Sequence, residues 1–334
     1  MTRALVTGGS GFIGAHVVRA LIKEGVEVRA LVRGDGMPAN LQGLAVERAK
    51  GDLTDVGSLE RALASIDVLF HVAALYELAG DGVQIRAVNV EGTRALMQAA
   101  LRSGVERVVH TSSVAAIGYA ANARAPATEE QWANEHELAG PYEASKYHSE
   151  RLVHALIAEE GLPAVVVNPT APIGALDVKP TPTGRLIRDA ANGDLPGYLR
   201  GAGLNIVPVR DVAAGHVLAW QRGRVGERYI LGHAQGNLTL REVMARAAAL
   251  TGRRAPRLPL PWPLAMAYAQ VDERWSRRRA RVPRASIAGV RLARHRMWFN
   301  PAKAITELGV PQSSLSQAFA DAVSYFRADG RIRA

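Results

Sequence analysis

The 334-residue sequence predicts an α/β protein, a doubly wound parallel sheet with a smaller mixed α/β lobe at its C-terminal end. Three observations carry this reading. The first half alternates short apolar runs with amphipathic stretches at the spacing of strand–helix crossovers. Its first apolar run, Ala4-Leu5-Val6, ends in a glycine-dense turn, Thr7-Gly8-Gly9-Ser10-Gly11-Phe12-Ile13-Gly14, that leads into a helical rhythm. Beyond residue 170, prolines at 172, 180, 182 and 196 break the alternation, which places the boundary of the second lobe there.

The elements follow in order. Residues 3–7 suit a strand, and Phe12, Ile13, Val17, Val18, Leu21 and Ile22 give a helix over 11–24. Alternation over 26–32 and the stretch 45–49 predict the second and third strands, and a short helix follows near 58–63. Val68-Leu69-Phe70-His71-Val72 is almost wholly apolar, as a parallel strand covered on both faces should be. A long helix over 83–102, a strand at 107–111, a helix over 142–159 and a strand at 164–167 complete the pattern. In the second half, Val209-Arg210-Asp211-Val212 leads into a helix, residues 229–231 form a strand, and Thr239-Leu240-Arg241-Glu242 is a capping box. Residues 256–263, rich in proline, read as a linker, and a last helix spans about 314–326. The division is 1–170 and 171–334, with segments around 205–232 returning to the first unit.

Composition narrows the classes of function. Cysteine is absent, which excludes disulfides, thiolate metal sites and a cysteine nucleophile, and no metal site is expected. With neither a basic-then-apolar leader nor a run of about 18 apolar residues, a cytoplasmic protein is expected. The formal charge is +10, and nine arginines fall between Arg274 and Arg296. Such a cluster suits a solvated face, a phosphorylated ligand or peripheral contact with an anionic membrane. No nucleic-acid-binding signature accompanies it, so no nucleic-acid partner is expected.

The glycine turn is the first chemical signal. It can be read as Gly9-x-Gly11-x-x-Gly14 or as Gly8-x-x-Gly11-x-x-Gly14, and both open a helix after a strand. Bare backbone there admits a pyrophosphate, which the N–H groups of Gly11, Phe12, Ile13 and Gly14 and the helix dipole would hold. This is a dinucleotide-binding start, so residues 1–170 read as a dinucleotide-binding (Rossmann) unit. The second predicted strand ends Leu31-Val32-Arg33-Gly34-Asp35. Arg33 at the discriminating place suits the 2′-phosphate of NADP(H), whereas Asp35 would keep NAD(H) open. Asp52 and Leu53 follow the third strand, where adenine is met. His71 reads equally as a core histidine or as a cofactor contact, with Val72-Ala73-Ala74 at the crevice.

The second signal is Tyr142-Glu143-Ala144-Ser145-Lys146 at a helix start. Positions i and i+4 share a face, so the ammonium can favour the phenolate and tune Tyr142 for proton transfer. Thr111-Ser112-Ser113 ends a strand at the same sheet edge and offers a hydroxyl for a substrate oxygen. Trp262, Tyr268, Trp275 and Trp298 suit either a pocket for a hydrophobic substrate or packed core.

These motifs, with Asn89-Val90-Glu91-Gly92-Thr93 between them, resemble the extended short-chain dehydrogenase/reductase superfamily of the NAD-dependent epimerase/dehydratase type. Val167-Asn168-Pro169-Thr170-Ala171-Pro172-Ile173-Gly174, residues 179–185 and Gly226-Glu227-Arg228-Tyr229-Ile230-Leu231-Gly232 are similar to hopanoid-associated sugar epimerases and dihydroflavonol 4-reductase-like proteins. Leu75 and Glu143 depart from that pattern, where a polar and a basic residue are commoner. The resemblance implies Tyr142 as acid–base, Lys146 lowering its pKa and binding the nicotinamide ribose, and Ser113 (or Ser112) orienting the reacting oxygen. It implies that Asn168, Pro169 and Thr170 lie beside the nicotinamide and that Thr111 is among the residues that bind the cofactor. Asn89 reads as structural or catalytic.

The function expected is NADPH-dependent reduction of a ketone in a small or polycyclic hydrophobic substrate. An NAD-dependent sugar epimerase/dehydratase and a non-catalytic nucleotide sensor are the alternatives. A homodimer through helices around 83–103 and 142–160 is implied by the resemblance alone.

Overall fold

Strands that are apolar on both faces need cover on both sides, and the chain supplies it with helices drawn from both halves. In the computed structural model, residues 1–76, 82–120, 125–279, 283 and 287–333 are described. The first half runs β1 (Arg3–Thr7), α1 (Phe12–Lys23), β2 (Glu27–Val32), β3 (Val46–Lys50), α2 (Val56–Leu63), β4 (Val68–His71), α3 (Gly82–Arg86), α4 (Gly92–Arg102), β5 (Arg107–Thr111), α5 (Pro141–Glu160) and β6 (Ala164–Pro169). The second half begins β7 (Ala171–Ile173), α6 (Pro182–Asn192), β8 (Tyr198–Leu199), β9 (Gly203–Pro208), α7 (Val209–Arg222) and β10 (Arg228–Leu231). It ends β11 (Asn237–Thr239), α8 (Leu240–Ala249), β12 (Pro259–Leu260), α9 (Trp262–Arg278), α10 (Ile287–Leu292), β13 (Arg296–Met297) and α11 (Leu315–Ala328).

Seven parallel strands form the central sheet in the order β10-β6-β5-β4-β1-β2-β3. Period-two alternation divides the central strands between two cores. Ala4, Val6, Phe70, Val109, Val165 and Val167 face α1 and α7, while Leu5, Leu69, Val108 and Val166 face α2, α4 and α5. Strand order reverses across β4-β1-β2, so the crevice where such sheets bind ligands opens at the carboxyl ends of β1 and β4.

A second layer packs α6, α8 and α11 over β9, which pairs with β7, β11 and β13. One side chain joins this layer to the main sheet. Buried Asn205 accepts from the Thr170 hydroxyl (3.1 Å) and His233 N–H (3.0 Å) and donates to His233 C=O (3.0 Å) and Asn237 Oδ1 (2.7 Å).

The structure differs from the sequence reading at several places. The helix expected over 83–102 holds a π-helical turn at Ala87–Glu91, between α3 and α4. The proline-rich stretch 256–263 is not merely a linker: β12 pairs with β8, and α9 starts at Trp262 behind Pro261, with Pro263 tolerated in its first turn. Tyr268 and Trp275 belong neither to core nor to pocket, because both are exposed on α9. Trp262 donates to Val290 C=O (3.2 Å), and Trp298 lies beneath the Arg296 guanidinium. Of the arginine cluster, Arg281, Arg284 and the Arg277 side chain lie outside the described residues. No described helix is long and apolar enough to cross a membrane.

Asn205→Ala would strand the His233 backbone and Asn237. We expect a loss of roughly 1–3 kcal/mol for each polar group left unpaired and out of reach of water. A lowered urea midpoint would read it; an unchanged midpoint would mean that the two layers do not depend on this residue.

Candidate functional site

β1 ends at Thr7, and the turn that follows is shaped for bare backbone. Gly8 sits at φ +70°, where a Cβ would lie 2.7 Å from the Ala73 backbone. A Cβ on Gly14 would lie 2.1 Å from Gly8 C=O, so these two positions hold α1 and the loop after β4 against the turn. Gly11 caps α1 without a side-chain bond, and no acid occupies the first turn, leaving the N–H groups of Phe12, Ile13 and Gly14 to an anion.

Beside this cradle runs a thread of hydrogen bonds, buried along its middle. Ala73 N–H donates to Thr7 Oγ1 (3.2 Å), which donates to His71 Nδ1 (2.8 Å). His71 Nε2 donates to Thr93 Oγ1 (2.9 Å), which donates to Asn89 C=O (2.7 Å). Because the Thr93 proton is given to that carbonyl, the ring proton belongs on Nε2 of His71. Burial, helped by the Lys146 charge, lowers His71 to about 3 and keeps it neutral. His71 is therefore a satisfied core histidine. Asn89, turned inward by the π-turn, takes Leu75 N–H (2.7 Å) and donates to Leu75 C=O (3.0 Å) and Ser145 Oγ (2.9 Å). Ser145 Oγ donates in turn to Tyr142 C=O (2.7 Å), so the structure gives Asn89 a structural role.

Tyr142 and Lys146 stand in the first turns of α5, which Pro141 opens. Tyr142 is half-buried, with the Tyr76 ring edge-on at 4.3 Å. Lys146 is buried, donates to Thr111 C=O (2.8 Å), and is lowered to about 8 by burial. The depressed Tyr142 pKa expected from the sequence is not found in this arrangement. Burial, with Tyr76 and Glu143 adding to it, pushes the phenol well above 10, while the ammonium is spent on the Thr111 carbonyl.

The Thr111 hydroxyl points away, to His216 Nε2 (2.9 Å) under α7. Ser113 is half-buried; its Oγ accepts from Ala115 N–H (3.2 Å), which leaves its own proton to give. Ser112 Oγ is buried with no partner among the described residues. Asn168 is wholly buried and donates to Ser113 C=O (3.0 Å) and Glu150 Oε2 (2.7 Å). Pro169 pairs with Leu231 at the end of β6, and Thr170 bonds Asn205.

At the adenosine side, Arg33 is exposed just past β2, and Asp35 is occupied by Lys50 at 2.6 Å. Thr54 holds Asp52 Oδ1 by its N–H (2.9 Å) and hydroxyl (2.7 Å); these bonds outweigh burial and, with the Arg33 charge, keep Asp52 below the usual carboxylate range. Leu53 is buried against Gly92.

The glycine turn, Val72-Ala73-Ala74, Thr111–Ser113, Tyr142, Lys146 and Asn168–Thr170 thus converge at the carboxyl ends of β1, β4, β5 and β6. A family model described as NAD dependent epimerase/dehydratase matches residues 4–232. The chain belongs to the NAD-dependent epimerase/dehydratase family. It is 43% identical over 334 residues to a Synechocystis sp. protein named "Putative dihydroflavonol 4-reductase", covering 98% of this chain and 95% of that one. It is 40% identical over 331 residues to sterol demethylase protein B of Methylococcus capsulatus, covering 98% and 99%. The crystal structure of gox2253 superposes with a TM-score of 0.87 at 41% identity, with both chains covered in full. The glycine cradle fits the nicotinamide dinucleotide that defines this epimerase/dehydratase family, because side chains at Gly8 and Gly14 would fill or distort it.

Sequence reasoning missed two carboxyl groups here. Glu150 is fully buried and pairs with Arg228 Nε at 2.5 Å, and that guanidinium lies 3.9 Å over the Trp132 ring. The spacing of Lys146 and Glu150, four residues along one helix, was the available signal, but it reads as an ordinary surface pair. Glu143 is buried beside Tyr142, its Oε2 unpartnered among the described residues, and burial raises it to about 7.

Glu150→Ala would leave Arg228 buried and unpaired; a loss of about 3–5 kcal/mol in denaturant unfolding is expected. Glu143 gives a pH signature. Below about pH 4.5 both folded and unfolded chains carry it protonated; as pH rises to about 7 the unfolded chain ionises first and stability falls. Glu143→Gln should therefore be the more stable protein at pH 8, with its advantage gone by about pH 4. A pH-independent difference would refute this.

Proposed function

We propose that this enzyme is an NADPH-dependent reductase of ketones in apolar, polycyclic or lipid-like substrates. The observation that carries the reading is the pairing at the ends of β2 and β3: Asp35 is held by Lys50 while Arg33 stands exposed beside Asp52. Asp35 faces a surface lysine, and an unpaired position is left to the Arg33 guanidinium, which suits a 2′-phosphate. Bound NADPH would supply the hydride. The backbone N–H groups of Phe12, Ile13 and Gly14 would hold its pyrophosphate, and Lys146, turning from Thr111 C=O, would hold its nicotinamide ribose.

Tyr142 would give its phenolic proton to the substrate oxygen as negative charge develops there, and the Ser113 hydroxyl would donate to the same atom. Burial keeps Tyr142 protonated in the resting protein, so a phenolic proton is available to give. The Tyr76 ring against Tyr142 supports an apolar substrate. The reductase and sterol-protein names of the two relatives point the same way.

Heat-release of any retained nucleotide, followed by titration of the empty protein with NADPH and NADH, tests this. We expect NADPH to be preferred by about tenfold or more, about 1.4 kcal/mol, and Arg33→Ala to erase most of the preference. Tyr142→Phe should bind NADPH normally and lose roughly 10²–10⁴ in turnover across a panel of polycyclic ketones. Tightly retained NAD without an NADPH preference would favour the epimerase. Full cellular function of Tyr142→Phe would favour a nucleotide sensor.

A further inference from the structure

Helix α9 turns an apolar stripe outward. Leu264, Tyr268, Val271 and Trp275, spaced 4, 3 and 4 residues apart, form that stripe and are each between 53% and 65% exposed. The inward face carries half-buried Trp262 and Met266 and buried Ala269 in its first half, and buried Asp272, Glu273 and Ser276 in its second. Glu273 accepts Ile287 N–H (2.7 Å), which seats α10 beneath the helix. A helix on a protein surface normally turns such a stripe inward, so the outward stripe needs an explanation beyond the fold of one chain.

The charges around the stripe say what it meets. The helix has two acids, Asp272 and Glu273, and both face inward. Arg274, Arg278 and Arg279 are exposed at its C-terminal end, with the Arg279 guanidinium 4.7 Å from the Trp275 ring. Arg254, Arg257 and Leu258 are exposed just ahead of its N-terminal end. An apolar stripe with Trp and Tyr, bounded at both ends by arginine, matches the interface of an anionic bilayer. A second copy of the chain fits poorly: with α9 helices side by side in either direction, arginines would meet arginines with no outward acid between them.

We infer that the outer face of α9 docks on an anionic lipid bilayer. The stripe spans about 16 Å along the helix, so α9 lies flat in the headgroup region rather than crossing it. Docking would also bring the candidate site to the membrane. Ala288 of α10 lies 3.2 Å from where a Cβ on Gly140 would stand, and Gly140 caps α5 two residues before Tyr142.

The test is flotation of the full chain with vesicles of phosphatidylcholine alone and with about one-third phosphatidylglycerol. It reads no turnover, so its outcome is independent of the reductase reading. We expect at least about tenfold more protein bound to the anionic vesicles, with Trp275 fluorescence shifted to the blue in a difference against Trp275→Phe. Leu264→Gln/Val271→Gln/Trp275→Gln should abolish binding while keeping the circular dichroism and thermal midpoint of the parent. Arg274→Gln/Arg278→Gln/Arg279→Gln should lose the preference for anionic lipid. Protein left wholly unbound, or binding equally to both vesicles and unaffected by the apolar variant, would overturn the proposal. So would a dimer in the absence of lipid that the apolar variant splits into monomers.

Discussion

The arrangement of the site depends on a line of uncharged hydrogen bonds from Ala73 through Thr7, His71, Thr93, Asn89 and Ser145 to the backbone of Tyr142. It crosses β1, β4, the π-turn before α4 and the first turn of α5. Its middle links, from Thr7 to Ser145, are polar and buried, so none of them can be broken without leaving a partner unsatisfied in a medium that penalises it. The line works because His71 stays neutral: as a cation its ring would carry two protons, and Thr7 could no longer donate to it. Burial beside the Lys146 charge secures that state. The glycine turn and the candidate acid–base, about 130 residues apart in the chain, are therefore parts of one rigid assembly.

A second support comes from the other side of α5. Glu150 holds both Arg228 and Asn168, and Asn168 holds Ser113. The ion pair sits under Trp132, where a lone charge would be costly but a matched pair with further donors is tolerated. Ser113 and the backbone of Tyr142 are thus held by two hydrogen-bond networks, both of which reach α5. Glu143 is buried beside Tyr142 with one carboxylate oxygen unpartnered among the described residues.

The fold was readable in the sequence because its strands are continuous apolar runs and its helices have clear rhythms, signals that arise locally. The glycine turn and the Tyr142–Lys146 spacing were readable for the same reason. What escaped was made by contacts between distant segments. Glu150 looks like any helical glutamate until Arg228, 78 positions later, lies against it. The depression of Tyr142 expected from Lys146 neglected the Thr111 carbonyl, which competes for the same ammonium. Helix α9 was hidden by prolines at its start and by an outward apolar face that mimics a core pattern.

The order of strands also has a consequence for how the chain matures during synthesis. The sheet edge beyond β6 is closed by β10, and α1 is covered by α7, yet both arrive only after residue 208. A nascent chain that has emerged only to residue 170 holds the whole glycine cradle and Tyr142 but presents an open edge of Val165, Val166 and Val167. Such an edge is a template for pairing with other chains. Completion of the first lobe is therefore tied to the appearance of the second, and a ribosome pausing between them would hold the chain with this edge open.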